Sequence, residues 1–436
     1  MSDLVSRLAL NLYSGFGYAL MPFAGMFLRW RAFKGKEERS RIQERYGFAS
    51  INASHRICIW VHAASIGETR AVLPLIAQLV EMRFEVVFTT ITVSAAQIAA
   101  IELPKGATHQ YAPLDLKPYV NRFLKHWQPS MAIFVESELW PTTMTKLRHR
   151  NIPQVLVNAR MSTHSYNRWK RFGAVSHALF ENISLSIAQS KEDAERYTDL
   201  GVHSVINAGN LKFDAYLPDV DVSHLAKLQT AIGDRPVWLA ASTHEREELI
   251  VAKAHVLLKR KFPNLLTIIA PRHPHRVQAI TNELQPLKVK ISKRSEGALP
   301  SADDDIYIAD TIGELGLLYR LAPCSLIGGS LIPHGGQNPI EPARLGSAII
   351  HGPNVDNFAN VFDAISKQGG CLRVINSEEL VVGVASLLKN AEKAEDMTSA
   401  ARLALDEFSG AIERTHTALL PYLNPLIVTE RLAENK

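Results

Sequence analysis

Residues 57–62 read ICIWVH, and residues 63–82 read AASIGETRAVLPLIAQLVEM. The first run is too short for a helix and is rich in β-branched and aromatic residues, which predicts a buried strand; the second predicts a helix from about Gly67 to Met82. Between them lies a loop of small residues. The same unit recurs along the chain: FEVVFTT (84–90) before VSAAQIAAIE (93–102), MAIFVE (131–136) before TTMTKLRHR (142–150), then PQVLVNA (153–159), SLSIAQS (184–190) and SVINAG (204–209). Short apolar strands alternating with helices imply a parallel sheet covered by helices on both faces.

The alternation breaks from Asp214 to Pro236, where LPDVDVS and GDRP predict a linker. A second series follows, with strands VWLAAS (237–242), LLTIIAP (265–271), DIYIAD (305–310), CSLIGGS (324–330) and SAIIHGP (347–353). The expected fold class is therefore α/β, with two doubly wound Rossmann-like domains, residues 31–215 and 216–436, facing a crevice at the carboxyl ends of their strands. Residues 1–30 are expected to form an N-terminal membrane-anchor helix.

That last expectation comes from charge placement. The chain of 436 residues is 47% hydrophobic and 21% charged, which fits a globular body and excludes a disordered chain or a multi-span membrane protein. Leu8 to Leu28 nevertheless carries no charge, broken by Asn11, Ser14, three glycines and Pro22, and about 20 such residues can cross a bilayer. Arg29, Arg31, Lys34, Lys36, Arg39, Arg41 and Arg45 follow against three glutamates. This basic flank predicts a cytoplasmic body on the inner membrane, with the helix either spanning or embedded. A cleaved signal peptide is disfavoured by the basic flank and the missing A-x-A site; an apolar helix buried in the fold is the other alternative. Cys58, Cys324 and Cys371 have no C-x-x-C spacing, so neither a disulfide framework nor a zinc site is expected. Nucleic acid is not an expected partner, because the basic residues cluster beside the apolar run.

Several strand-end loops can carry chemistry. Glu68 falls in the first turn of its helix, where it serves either as a base toward a hydroxyl or only the helix dipole. Glu136 and Glu138 in ESELWP (136–141) leave a very apolar strand, and one of them can instead cap the next helix. Lys212 in GNLKFD (209–214) can meet an anion, as can Arg272 and His273 in PRHPHR (271–276). Ile312, Gly313 and Glu314 open a helix after DIYIAD. In GGSLIPHGGQNPIEP (328–342), glycines permit close backbone approach, Asn338 and Pro339 suit a helix start, and Glu341 can accept from two ribose hydroxyls. Neither G-x-G-x-x-G after the first strand nor a P-loop occurs, so dehydrogenase and P-loop readings fail.

The order of VHAASIGE, FTTIT, ESELWP, GNLKFD, APRHPHR, IGELGLLY and GGSLIPHGGQNPIEPA resembles the Kdo (3-deoxy-manno-octulosonate) transferase family over essentially the whole chain. The resemblance implies a GT-B fold and inverting transfer of Kdo from CMP-Kdo to a hydroxyl of a lipid A precursor, lipid IVA, in lipopolysaccharide core synthesis. It implies Glu68 as general base, Glu138 and Lys212 as transition-state stabilisers, and Arg272, His273, Ile312 to Glu314 and Asn338 to Glu341 as the CMP site. No metal or cofactor is expected. Another GT-B transferase acting on a lipid, or a non-catalytic nucleotide-sugar binder, would keep the C-terminal loops without needing ESELWP or Glu68 respectively.

Overall fold

A computed structural model of the chain describes Gly15, Gly17 and residues 21–54, 56–214, 221–406 and 408–434. The chain forms two compact units, one of residues 1–216 with 409–436, the other of residues 217–408. Each is built on a seven-stranded parallel sheet.

The first sheet contains β1 (Cys58–His62), β2 (Glu85–Thr90), β3 (Ala107–Tyr111), β4 (Met131–Val135), β5 (Gln154–Ala159), β6 (Leu185–Ala188) and β7 (Val205–Asn207), in the order β3-β2-β1-β4-β5-β6-β7. Its central strands β1 and β4 are buried at every position, because side chains alternate between two covered faces. Ile59, Val61, Val86, Phe88, Ile133 and Val135 pack with Val72, Leu75, Ile76 and Leu79 of the helix Ile66–Glu81. Trp60, Val87, Ala132, Phe134 and Leu156 face the other way, onto Val120, Phe123, Leu124 and Trp127 of the helix Lys117–Trp127.

The second sheet contains β8 (Val237–Thr243), β9 (Leu266–Pro271), β10 (Ile291–Lys293), β11 (Ile306–Ile308), β12 (Cys324–Ile327), β13 (Ala348–His351) and β14 (Cys371–Arg373), ordered β10-β11-β9-β8-β12-β13-β14. In each unit the direction of winding reverses beside the first strand, between β1 and β4 and between β8 and β12. In sheets wound this way ligands bind at the strands' carboxyl ends, beside that reversal.

Two expectations need correction. The segment read as a linker contains a helix, Val222–Ile232, capped by Asp221 and held in the second unit by buried Leu228 and Ile232. The final helix, Ala411–Glu434, was expected in the C-terminal domain but packs on the first unit's sheet through Ala411, Leu419 and Leu423. Burial of the two leucines contributes of the order of 1.5–3 kcal/mol each. Asp214 fixes where this helix starts, accepting from the Gly410 and Ile412 N–H groups at 2.9 and 2.8 Å, and Arg414 Nε donates to the Ala208 carbonyl at 2.9 Å.

The uncharged run Leu8–Leu28 lies largely outside the described residues. Among the described residues no helix is long and apolar enough to cross a membrane. Residues 21–33 are helical. Ala24 and Leu28 are buried, while Phe23, Met26, Phe27, Trp30 and Phe33 are exposed.

Candidate active site

The helix Ile66–Glu81 starts after a three-residue loop, and its first turn is closed by a variant of the capping box in which Glu68 reaches the Ala64 N–H rather than that of the N-cap Ser65. The Ser65 hydroxyl accepts from the Glu68 N–H at 3.3 Å and donates to Glu68 Oε1 at 2.7 Å, while the Ala64 N–H donates to Oε2 at 2.8 Å. Glu68 is left 9% exposed. Burial pushes its carboxyl above the usual range; the Ser65 and Ala64 hydrogen bonds oppose this, and the charges of Glu136 and Glu138 add to it. A carboxylate raised in this way is a stronger base toward a hydroxyl than an ordinary glutamate. The loop in front of it is braced by Thr92, which caps the next helix and whose hydroxyl donates to the Ala64 carbonyl at 3.3 Å.

The two acids of ESELWP part company. Glu136 turns out of β4 with φ 59, and its Oε1 lies 2.6 Å from Lys212 Nζ. Glu138 Oε2 accepts from Trp140 Nε1 at 2.8 Å and lies 3.7 Å from His62 Nε2. Burial pushes the Glu138 carboxyl up, but His62 and Trp140 outweigh it and leave the group below its ordinary value. Neither acid caps the following helix, Pro141–Arg148. Asp115 does so from a distant loop, accepting from the Thr142 and Thr143 N–H groups at 3.0 and 2.8 Å and from the Thr143 hydroxyl at 2.7 Å.

Lys212 sits on a short turn, Leu211–Phe213, whose Leu211 and Phe213 are buried. Asn158 and Asn210 hold that turn through the Leu211 and Lys212 N–H groups, at 2.9 and 3.0 Å. The lysine lies across Gly67: a Cβ there would stand 3.8 Å from Lys212 Cε. Glu68, Glu136, Glu138 and Lys212 are thus gathered at the carboxyl ends of β1 and β4.

In the second unit, Arg272, Ile312 and Gly313 line one cavity of about 110 Å³ together with Ser242, Pro271 and Thr311. Ile312 is 83% exposed, so its side chain is free to meet a flat ligand rather than committed to the core. Glu314 is held in a bidentate pair by Arg294, at 2.7 and 3.1 Å, which lowers its carboxyl, and it also accepts from the Thr311 hydroxyl. Asn338 accepts from the Ile340 N–H at 3.0 Å, and Pro339 and Ile340 are buried. The helix Ile340–Leu345 that follows is short and packs on the helix Leu315–Leu321, where burial and then Glu341 push the Tyr319 hydroxyl well above its usual range.

The glycine-rich loop has an internal clamp. Glu247, fully buried, accepts from the N–H groups of Gly329 at 2.6 Å, His244 at 3.0 Å and Leu331 at 3.1 Å. Close backbone packing explains Gly328, since a Cβ there would fall 2.1 Å from the Ser242 carbonyl oxygen. Above the loop the His244 and His334 rings stack with centroids 3.8 Å apart, and His273 meets His244 edge-on. Burial, then His334, His273, Arg272 and Arg276, push His244 down to about 4, so at neutral pH its Nε2 can accept from Gln337 Nε2 at 3.0 Å. Partial desolvation and the neighbouring cations also lower His273. Arg276 is committed elsewhere, to buried Glu248 at 2.9 Å.

The sequence profile described as 3-deoxy-D-manno-octulosonic-acid transferase (kdotransferase) matches residues 40–215. Over 413 residues the chain is 35% identical to the 3-deoxy-D-manno-octulosonic acid transferase of Haemophilus influenzae, covering 92% of this chain and 96% of that one. The chain belongs to the Kdo transferase family. The enzyme of the same description from Rickettsia bellii is 34% identical, with 85% of this chain and 89% of that one covered. The fold is shared with a glycosyltransferase of Rickettsia africae ESF-5, at a TM-score of 0.58 and 12% identity over 85% of this chain and 99% of that one.

In this Kdo transferase family member four residues that support the loops are not among those singled out from the sequence: His62, Asp115, His244 and Glu247. Only the capping box had a legible signal, since Ser65-Ile66-Gly67-Glu68 fits the [ST]-x-x-[DE] pattern. Among the described residues no three histidines, cysteines or acids are grouped to hold a metal ion.

Proposed function

We propose that the protein is an inverting transferase that moves Kdo from CMP-Kdo to a hydroxyl of a lipid A precursor. In this reading Glu68 takes the proton of the acceptor hydroxyl as its oxygen bonds to the anomeric carbon. The bond from that carbon to the CMP phosphate breaks, and CMP leaves with the electron pair. Glu138 and Lys212 stabilise the charge that develops. Arg272, His273, Ile312 to Glu314 and Asn338 to Glu341 hold CMP in the second unit. The observation that carries the reading is the gathering of a buried, up-shifted Glu68 with Glu136, Glu138 and Lys212 at the strand ends of a Kdo transferase family member. Acceptor-dependent release of CMP from CMP-Kdo, with lipid IVA present and then withheld, is the deciding experiment. Release only with lipid is the expected result. Release that ignores the acceptor would mean hydrolysis of CMP-Kdo rather than transfer, and binding of CMP-Kdo without release would leave a nucleotide-sugar binder.

The same reading places the protein on the cytoplasmic face of the inner membrane, anchored through its N-terminus. The support is the exposed stripe Phe23, Met26, Phe27, Trp30 and Phe33 beside Arg29 and Lys34, with Lys34 Nζ 4.3 Å from the Trp30 ring. Aromatic residues next to cations suit the headgroup region, and anionic lipid attracts the basic flank. Full-length protein is expected to sediment with phosphatidylglycerol-containing vesicles at low salt, and a variant with Phe23, Phe27 and Trp30 changed to Ser is expected to sediment less. Full-length protein that stays in the supernatant would rule the attachment out.

A further inference from the structure

His62 is the last residue of β1 and is 1% exposed. The parallel register sets it opposite Thr89 on β2 and Phe134 on β4. Its Nδ1 lies 2.8 Å from the Thr89 hydroxyl, which also accepts from Trp60 Nε1 at 2.8 Å. With an acceptor position taken by Trp60, the hydroxyl proton has two outlets: the Val61 carbonyl at 3.5 Å, a poor distance, and His62 Nδ1. The short contact is the better one, and a bare Nε2 lone pair would face the Glu138 carboxylate, so we assign the proton to Nε2 over the tautomer in which Thr89 accepts from both Trp60 Nε1 and His62 Nδ1. A neutral imidazole that accepts at Nδ1 carries its proton on Nε2.

That Nε2 is buried without a hydrogen-bond partner and points toward Glu138 Oε2, 3.7 Å away. The same carboxylate oxygen already accepts from Trp140 Nε1, and the Trp140 ring stands edge-on to the imidazole at 5.6 Å. An unpaired buried N–H is unfavourable, so the ring is driven to find an acceptor. Closing the gap to a hydrogen bond takes a movement of less than about 1 Å, the kind of tightening expected when substrate fills a site.

We propose that His62 is a positioning residue for Glu138: Thr89 fixes the imidazole so that Nε2–H and the Trp140 N–H together hold the Glu138 carboxylate at the mouth of β4. The proposal rests on the reading of Glu138 as a group that acts in transfer. His62 itself touches no reacting atom in this scheme.

Asparagine and glutamine separate the two ring nitrogens. In His62→Asn the amide falls near Nδ1 and can keep the Thr89 hydrogen bond; in His62→Gln the amide nitrogen reaches toward the Nε2 position and can donate to Glu138. The expected result is a kcat loss of about 10–100-fold in His62→Asn, with KM for CMP-Kdo within about twofold of wild type, and substantial recovery in His62→Gln. Melting temperatures of both variants monitor the fold. The double variant His62→Asn/Glu138→Gln should lose no more activity than Glu138→Gln alone. Equal losses in the Asn and Gln variants, or losses that multiply in the double variant, would overturn the positioning role. If Glu138→Gln turns over normally, it is instead the reading of Glu138 that fails, and a remaining His62→Asn defect would show that His62 does not act through it.

Discussion

Replacing Glu68 by Gln is expected to lower the transfer rate by about 10²–10⁴-fold while leaving the protein folded and CMP-Kdo bound. The capping box makes the choice of variant matter. Glu68 accepts two hydrogen bonds, from Ser65 and Ala64, and its own N–H donates to Ser65. Ala would remove these together with the base and cost about 0.5–2 kcal/mol of helix stability. Gln keeps the box, because its amide oxygen can accept from the Ala64 N–H while its amide nitrogen donates to a rotated Ser65 hydroxyl. The amide has no basic oxygen, so only proton removal is lost. If Glu68 serves the helix alone, the same variant should lose about 0.3–1 kcal/mol of stability and turn over normally. Single-turnover rate and melting temperature, measured on one variant, decide between the two. Normal turnover would dismiss Glu68 as base and make Glu138 the next candidate.

What could be read in advance follows from where the apolar signal is concentrated. Central strands such as β1, β4, β8 and β12 are buried on both faces and show as mostly apolar runs. The edge strands do not. β3 reads ATHQY, β10 reads ISK and β14 reads CLR; they are short or polar, and their outer residues are half-exposed. The last helix was assigned to the wrong unit because periodicity shows that a helix has an apolar face, not which sheet the face covers. That choice is made by Asp214 and by Leu419 and Leu423, contacts across about two hundred residues of chain.

The site divides along the same line. Motif positions were visible because each loop follows a readable strand. Their supports were not, because Asp115 reaches Thr142 and Thr143 from another loop, and His62 meets Glu138 only through the crossover that sets β1 beside β4. Spacing in sequence carries neither relation. Even the bland alternative for ESELWP, that one acid caps the next helix, gives way for a reason no local pattern holds: the cap comes from elsewhere.

Glu247→Ala is expected to destabilise the second unit more than any single change in its proposed ligand contacts. Its carboxylate, fully buried, is the shared acceptor for the N–H groups of His244, Gly329 and Leu331. Removing it strands three donors, and a buried donor without a partner costs about 1–3 kcal/mol. Water entering the space left behind recovers part of this, so a loss of about 3–5 kcal/mol is expected, a fall in melting temperature of roughly 10 °C for a unit of this size. Burial pushes the Glu247 carboxyl up, yet three converging N–H donors suit the ionised form, so Gln, which turns an amide nitrogen toward one of them, should fall between Ala and wild type. CMP affinity should drop with stability, because Gly329 and Leu331 belong to the loop proposed to approach the nucleotide. Glu341→Ala makes the contrasting case: if it accepts from the ribose, affinity falls by about 1–3 kcal/mol with a smaller change in melting temperature. Calorimetry and thermal melts on both variants test the division of labour. A Glu247→Ala protein that melts within about 2 °C of wild type would mean that the clamp is not what holds the glycine loop in place.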